Sequence, residues 1–109
     1  MTTVTIYRNK KNENIGFTTI GHAGYAEEGE DIVCAALSVL IINTINSIDA
    51  FADAETSLVT DAEEGLIDFR LNEINDKTEL LMSSMILGIN SMVEDEDYAK
   101  YIQLIIEEV

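Results

Sequence analysis

Apolar and polar residues alternate in two short segments near the start of the chain. From Thr2 to Arg8, Val4 and Ile6 alternate with threonines and a tyrosine, and this period of two predicts a β-strand. The segment Ile15–Gly21, rich in isoleucine, phenylalanine and threonine, predicts a second strand. Asn9–Asn14 between them is polar and predicts a hairpin connection.

The next regular element is a long apolar helix. Gly24–Glu30 has no apolar period and predicts a loop, whereas the chain from Ile32 to about Ile48 is nearly all apolar. Glu30 or Asp31 is the candidate N-cap. A helix that is apolar around most of its circumference has to be covered on more than one side. One sheet and one further helix cannot do this, so we expect a homodimer along this helix.

A second hairpin follows a transition segment at Asn46–Thr56. It comprises Ser57–Asp61, a turn at Ala62–Gly65, and Leu66–Asn72, in which apolar and charged residues alternate. Apolar residues at helical spacing then predict a helix over Asp76–Met92, with Asp76 as candidate cap.

The last segment also has apolar residues at helical spacing, and it predicts a helical stripe made of Tyr98, Tyr101, Ile102, Ile105 and Ile106. The element order is therefore ββαββα. It predicts an α+β fold of two layers, one mixed or antiparallel sheet packed against helices. We expect residues 1–109 to form a single domain.

The charge balance restricts the partners. With 21 acidic residues against 6 basic ones, the net charge is −15. This charge repels phosphate backbones, so we expect no direct binding of nucleic acid, and it favours a basic protein partner instead. The alternative is that the acidic residues only keep a small protein soluble.

The sequence also disfavours a membrane protein and a protein with a disulfide or a metal site. The longest apolar run, Ile32–Ile42, has 11 residues, short of the roughly 18–20 of a membrane span, and Met1–Asn14 is polar and charged. We therefore expect a cytoplasmic protein with no membrane contact. One cysteine excludes an internal disulfide and a site of several thiolates, and a site of one His, one Cys and carboxylates mixes hard and soft ligands poorly. We expect no metal and no cofactor.

His22 and Cys34 are the only histidine and the only cysteine, twelve positions apart. The structural interpretation is a buried cysteine and a hydrogen-bonded histidine. The functional interpretation places Cys34 in the first turn of the helix, where free N–H groups and the positive dipole end favour the thiolate. His22 at a strand end could then take the thiol proton and return it to a leaving amine. This is the chemistry of a cysteine peptidase.

The acidic residues around this pair oppose that chemistry. Glu27, Glu28, Glu30 and Asp31 place negative charge near the sulfur and disfavour the thiolate. They could instead face a basic substrate. Asp31 has two possible roles, as the helix cap or as the group that orients His22, and the cap role is favoured.

The same stretch resembles the signature of a known family. Gly21-His22-Ala23, then Gly29 after five residues, then Asp31-Ile32-Val33-Cys34-Ala35-Ala36 and Ser38 closely resemble the ribosomal-processing cysteine protease family called Prp. Leu37 departs from it, since the family often has valine there. Chain length, acidic character and element order extend the resemblance over effectively the whole chain.

The resemblance implies a specific activity. It implies an endopeptidase that removes the N-terminal extension of a large-subunit bacterial ribosomal protein during ribosome assembly, with His22 and Cys34 as the catalytic dyad. The cleaved precursor would carry an aromatic-rich segment, a small residue and a basic body. The resemblance also implies a homodimer and a mobile Gly24–Glu30 loop, with Gly21, Gly24 and Gly29 as hinges. The alternative is a non-enzymatic acidic assembly factor that binds a basic ribosomal protein.

Overall fold

The computed structural model describes residues 1–21 and 30–109, and for Glu30 and Asp31 it describes the backbone alone. The described residues form five strands, two α-helices and one short 3-10 helix. In chain order these are β1 (Thr2–Arg8), β2 (Asn14–Ile20), α1 (Glu30–Phe51), β3 (Thr56–Asp61), β4 (Leu66–Leu71), α2 (Asp76–Glu94), the 3-10 helix (Ala99–Tyr101) and β5 (Ile102–Glu108). Both predicted hairpins and both predicted central helices are confirmed.

The strands form one mixed sheet in the order β3-β4-β2-β1-β5. β1 pairs with β2 antiparallel and with β5 parallel. The helix predicted at the C-terminal end is therefore wrong, since that segment is mostly strand β5. Its isoleucines fit both a helical and a strand period. The segment forms a strand because the free edge of β1 would otherwise leave unpaired backbone groups beside the core. In the strand, Ile102 and Leu104 lie against α2 and the core, and Gln103 alternates with them.

Both helices pack on one face of the sheet, which gives the predicted two-layer α+β fold. Val4 and Ile6 of β1, Phe17 of β2 and Phe69 of β4 are fully buried on that face. They form one cluster with residues of both helices, including Leu37, Ile41, Met85 and Ile89. The Phe17 and Phe69 rings lie 5.4 Å apart between centroids, a favourable tilted pair.

The opposite face of the sheet carries mostly polar side chains, with Ile20, Val59 and Ile105 exposed among them. The guanidinium of Arg70 lies 4.1 Å from the centroid of the Tyr7 ring and forms an ion pair with Asp68 at 2.7 Å. The hydrogen bond from Arg70 to Asp68 raises the pKa of Arg70. The sheet thus has one face packed and one face wet, as the alternating segments predicted.

The helix ends differ from the predicted ones. Asn75 caps α2, not Asp76, because its side chain accepts hydrogen bonds from the N–H groups of Lys77 and Thr78. α1 begins at Glu30, two residues before the predicted Ile32. It also continues to Phe51 through part of the predicted transition segment.

The length of α1 corrects the expectation that no apolar segment is long enough to span a membrane. Over Ile32–Phe51 it is long and apolar enough to cross a membrane, by length and composition alone, although only 28% of that stretch is buried in the chain. Counting uninterrupted apolar residues missed this, because the scattered Ser, Thr and Asn lower the mean hydropathy only slightly. One side of α1 contributes Val33, Leu37, Ile41 and Ile48 to the core, and its other side is exposed.

Candidate active site

Cys34 lies on α1 where that helix crosses the end of the sheet. Counted from Glu30, it is the fifth residue of α1, so it begins the second turn and does not lie in the predicted first turn. The N–H groups without partners inside a helix belong to its first four residues. The Cα–Cβ bond of a helical residue tilts towards the N-terminus, which brings the Cys34 side chain back towards those groups.

The thiol has one polar contact among the described residues. Its Sγ atom lies 3.5 Å from Oγ1 of Thr2, and either atom can be the donor. Thr2 is the first residue of β1 and is buried, whereas Cys34 is half-buried. The cysteine is therefore neither a sealed core residue nor freely exposed, which is the setting that a reactive thiol requires.

A cavity of about 150 Å³ opens beside Cys34. α1 and the strand ends that lie under it supply its walls, and none of the described lining residues is charged. The lining residues are Thr2, Thr19, Gly21, Cys34, Leu37, Ser38, Ile41, Gly65 and Ile67. The apolar wall suits an apolar side chain of a substrate, and the three hydroxyl groups offer hydrogen bonds.

The turn between β3 and β4 holds the end of β2. The N–H of Gly21 donates to the carbonyl oxygen of Gly65 at 3.2 Å. Gly65 has φ +63°, and a Cβ atom there would overlap the carbonyl oxygen of Gly21. Only glycine combines this left-handed backbone with such a close approach. Gly65 therefore fixes the position of Gly21, the residue immediately before His22.

The structure brings two of the predicted site residues, Gly21 and Cys34, to one cavity. His22, Gly24 and Gly29 lie outside the described residues, as does the predicted loop up to residue 29. The backbone of Asp31 lies in the first turn of α1. Among the described side chains, those of residues 1–21 and 32–109, no three of His, Cys, Asp or Glu lie together as a metal site would require.

Sequence reasoning did not find Thr2, Thr19 or Gly65. Each is far from Cys34 along the chain and reaches it through strand pairing. A threonine in a strand has no local feature that marks it as part of a site. Gly65 was recognised as the end of a turn, but its contact with Gly21 depends on the register in which β2 pairs with β4.

A model of the cysteine protease Prp family matches residues 1–103. The chain belongs to the Prp family of cysteine proteases. The ribosomal processing cysteine protease Prp of Bacillus subtilis (strain 168) is 29% identical over 100 residues, which cover 87% of this chain and 89% of the relative. The resemblance seen in the sequence is confirmed, and so is the enzyme class.

Solved Prp structures share the whole fold. The essential ribosomal processing protease Prp of Staphylococcus aureus in complex with a substrate peptide has a TM-score of 0.91 and 26% identity, covering 98% of this chain and 100% of that one. The same protease with a covalently linked product peptide has a TM-score of 0.85 and 27% identity, with the same coverage. These matches include β5, so the five-stranded sheet of this chain is that of the Prp enzymes.

Proposed function

We propose that this Prp protease removes the N-terminal extension of a large-subunit ribosomal protein, with Cys34 as nucleophile and His22 as general base and acid. The observation that carries the proposal is that Cys34 and Gly21 line one cavity. Gly21 directly precedes His22, so the proposed base is the next residue along the chain after one that lines the cavity. We further propose that residues 1–109 form one peptidase domain.

The proposed reaction has two stages. His22 takes the proton of the Cys34 thiol, and the thiolate attacks the carbonyl carbon of the scissile peptide bond. When the C–N bond breaks, the imidazolium returns the proton to the leaving amine. Water, deprotonated by His22, then cleaves the thioester, which releases the carboxylate product and restores the thiol.

The relatives support this assignment. The Staphylococcus aureus protease binds a substrate peptide in one structure and carries a covalently linked product peptide in another. A covalent link to product fits a nucleophilic mechanism. The net charge of −15 adds an argument for a basic substrate, because ribosomal proteins must neutralise RNA phosphates and are therefore rich in Lys and Arg.

Mass spectrometry of a peptide tests the proposal. The peptide carries an aromatic-rich segment, a small residue and a basic segment, and it is incubated with wild type, Cys34→Ala and Cys34→Ser. We expect a single cut by wild type and none by either variant. Binding of the peptide by all three proteins, with no cut by any, would favour the non-enzymatic assembly factor instead.

The remaining site residues have narrower proposed roles. Asp31 either stabilises the start of α1 or orients His22. If it orients His22, Asp31→Asn lowers the cleavage rate by more than tenfold with little loss of thermal stability. If it only stabilises the start of α1, Asp31→Asn lowers the thermal stability and leaves the cleavage rate nearly unchanged. Gly21, Gly24 and Gly29 are proposed as hinges that let the intervening loop close over substrate. Replacing Gly24 or Gly29 with alanine should then raise KM or lower kcat without unfolding the protein.

We also propose that α1 forms the interface of a homodimer. Ile32, Val39 and Ile42 recur on one side of α1 and are 63%, 70% and 49% exposed, with Ala35 between them. A symmetric partner placing the same face against this one would bury all of them. Sedimentation of wild type and Val39→Glu tests this: we expect a dimer and a monomer, respectively, and a monomeric wild type would contradict it. We place the enzyme in the cytoplasm, where ribosomes assemble.

A further inference from the structure

Thr2, the first residue of β1, is buried although it lies at the start of a strand. Its side chain is only 7% exposed, and β1 is held there by parallel pairing of Thr2 with Ile102 of β5. Oγ1 lies 3.5 Å from Sγ of Cys34, a residue 32 positions away. Strand pairing on one side and the thiol on the other thus fix where this hydroxyl lies.

The residue next to the proposed base also shapes the environment of Thr2. A Cβ atom on Gly21 would lie 3.0 Å from Oγ1 and 3.4 Å from Cγ2 of Thr2. A larger residue at position 21 would therefore displace the Thr2 side chain by a few tenths of an ångström. Glycine at this position leaves the space in which the Thr2 side chain reaches Cys34.

The position of Cys34 on α1 gives the hydroxyl a chemical role. Cys34 begins the second turn, and the effect of the helix dipole falls off within the first turn. A further donor at the sulfur would add to the stabilisation of the thiolate. In the neutral pair either atom can donate, but once the sulfur is ionised only the hydroxyl can. Hydrogen bonds to an ionised acceptor are roughly twice as strong as neutral ones, so the contact strengthens as charge forms.

We propose that Thr2 is a positioning residue whose hydroxyl donates to the Cys34 thiolate and holds Sγ at the cavity. This inference rests on the proposed role of Cys34 as nucleophile. The hydroxyl donates to the sulfur as charge forms on it and restricts the rotation of the side chain, so that the sulfur faces an incoming carbonyl carbon. The methyl group of Thr2 has no part in this role.

Alkylation of the thiol tests the contact independently of peptidase activity. Cys34 is the only cysteine, so intact mass after treatment with iodoacetamide reports this thiol alone. We expect Thr2→Val to alkylate about tenfold more slowly at pH 7, the size expected for loss of one hydrogen bond to a charged group. The value of kcat/KM for the peptide should fall by a similar factor. Thr2→Ser keeps the hydroxyl and should behave as wild type.

A matched control removes a buried hydroxyl elsewhere on the same helix. Thr44 is buried, and its Oγ1 donates to the carbonyl oxygen of Leu40 at 2.8 Å. Thr44→Val should leave the alkylation profile and the cleavage rate unchanged. If Thr2→Val also matches wild type in both, or if Thr2→Ser is as slow as Thr2→Val, the role of the hydroxyl is refuted.

Failure of this inference is distinguishable from failure of the proposed function. Cys34→Ala is measured in the same cleavage assay. An inactive Cys34→Ala together with a fully active Thr2→Val refutes the role of Thr2 and leaves the function in place. An active Cys34→Ala refutes the nucleophile itself, and with it the role of Thr2. Should Thr2→Val not fold, the comparison of Thr2→Ser with wild type still decides the role of the methyl group against that of the hydroxyl.

Discussion

Replacing Gly65 with alanine should disable the enzyme without touching either proposed catalytic residue. Gly65 lies in the turn between β3 and β4, and its carbonyl oxygen accepts a hydrogen bond from the N–H of Gly21. The new Cβ would overlap the carbonyl oxygen of Gly21, and the two would have to separate to at least 3.0 Å. Because this oxygen belongs to the peptide bond that leads into His22, the start of the loop has to move.

The expected effect of Gly65→Ala has two parts, a loss of stability and a loss of activity. An alanine with φ near +63° costs about 1–2 kcal/mol relative to glycine, and the displacement of the Gly21 carbonyl adds to this. For a domain of this size, each kcal/mol lowers Tm by roughly 4–8 °C, so we expect a fall of about 10 °C. Misplacing a catalytic group by about 1 Å can reduce the rate about 100-fold, and a smaller shift here should reduce kcat/KM about 10- to 100-fold.

Three measurements separate these effects. Thermal unfolding gives the cost in stability, peptide cleavage below Tm gives kcat/KM, and alkylation shows whether the Cys34 side of the cavity is intact. Gly65→Asn is the matched variant, because asparagine tolerates a left-handed backbone but carries the same Cβ. If the overlap is the cause, Gly65→Asn loses activity as Gly65→Ala does. A Gly65→Ala protein that loses stability but cleaves at the wild-type rate would refute the reasoning.

The remaining predictions concern the fold and the substrate. Asn75→Ala should cost about 1–2 kcal/mol in the free energy of unfolding, because it removes the cap of α2, whereas Asp76→Ala should cost less; the reverse order in urea titration would contradict the cap assignment. Ile102→Asp should unfold the protein because this side chain is 3% exposed, while Ile105→Asp should be tolerated, because Ile105 lies on the other face of β5 and is 37% exposed; thermal unfolding followed by circular dichroism tests this strand pattern, since a helical stripe would bury both. Cleavage of a basic peptide should slow as salt rises from about 50 to 500 mM, because salt screens the attraction to an acidic enzyme; an unchanged kcat/KM would leave the acidic residues only a role in solubility.

Much of the site was predictable because its chemistry is concentrated in one stretch. The sole cysteine, the sole histidine and the glycines around them lie within a short segment, and a family signature is a pattern of neighbours along the chain. Thr2 and Gly65 could not be recognised in this way. Their roles depend on which strand lies beside which, and an isolated threonine or turn glycine looks the same whether or not a site lies next to it.

The C-terminal segment shows the same limit for the fold. Its isoleucines satisfy both a helical and a strand period, and their spacing alone favoured the helix. The parallel pairing with β1 made it a strand, because the free edge of β1 gains a complete set of backbone hydrogen bonds beside the core. The hydrophobic pattern of a segment identifies its secondary structure only where the pattern fits a single period. It also requires that no unpaired strand edge nearby can pair with the segment.

Residues close together in the chain account for the two hairpins, the two central helices, the acidic charge and the proposed pair of His22 and Cys34, so each of these could be read from the amino-acid sequence. The tertiary structure alone decided the fifth strand, the capping of α2 by Asn75, the position of Cys34 in the second turn, and the contacts of Thr2 and Gly65 with the site. These features depend on edges, registers and close approaches between segments that are distant in sequence, and they exist only once the sheet has formed.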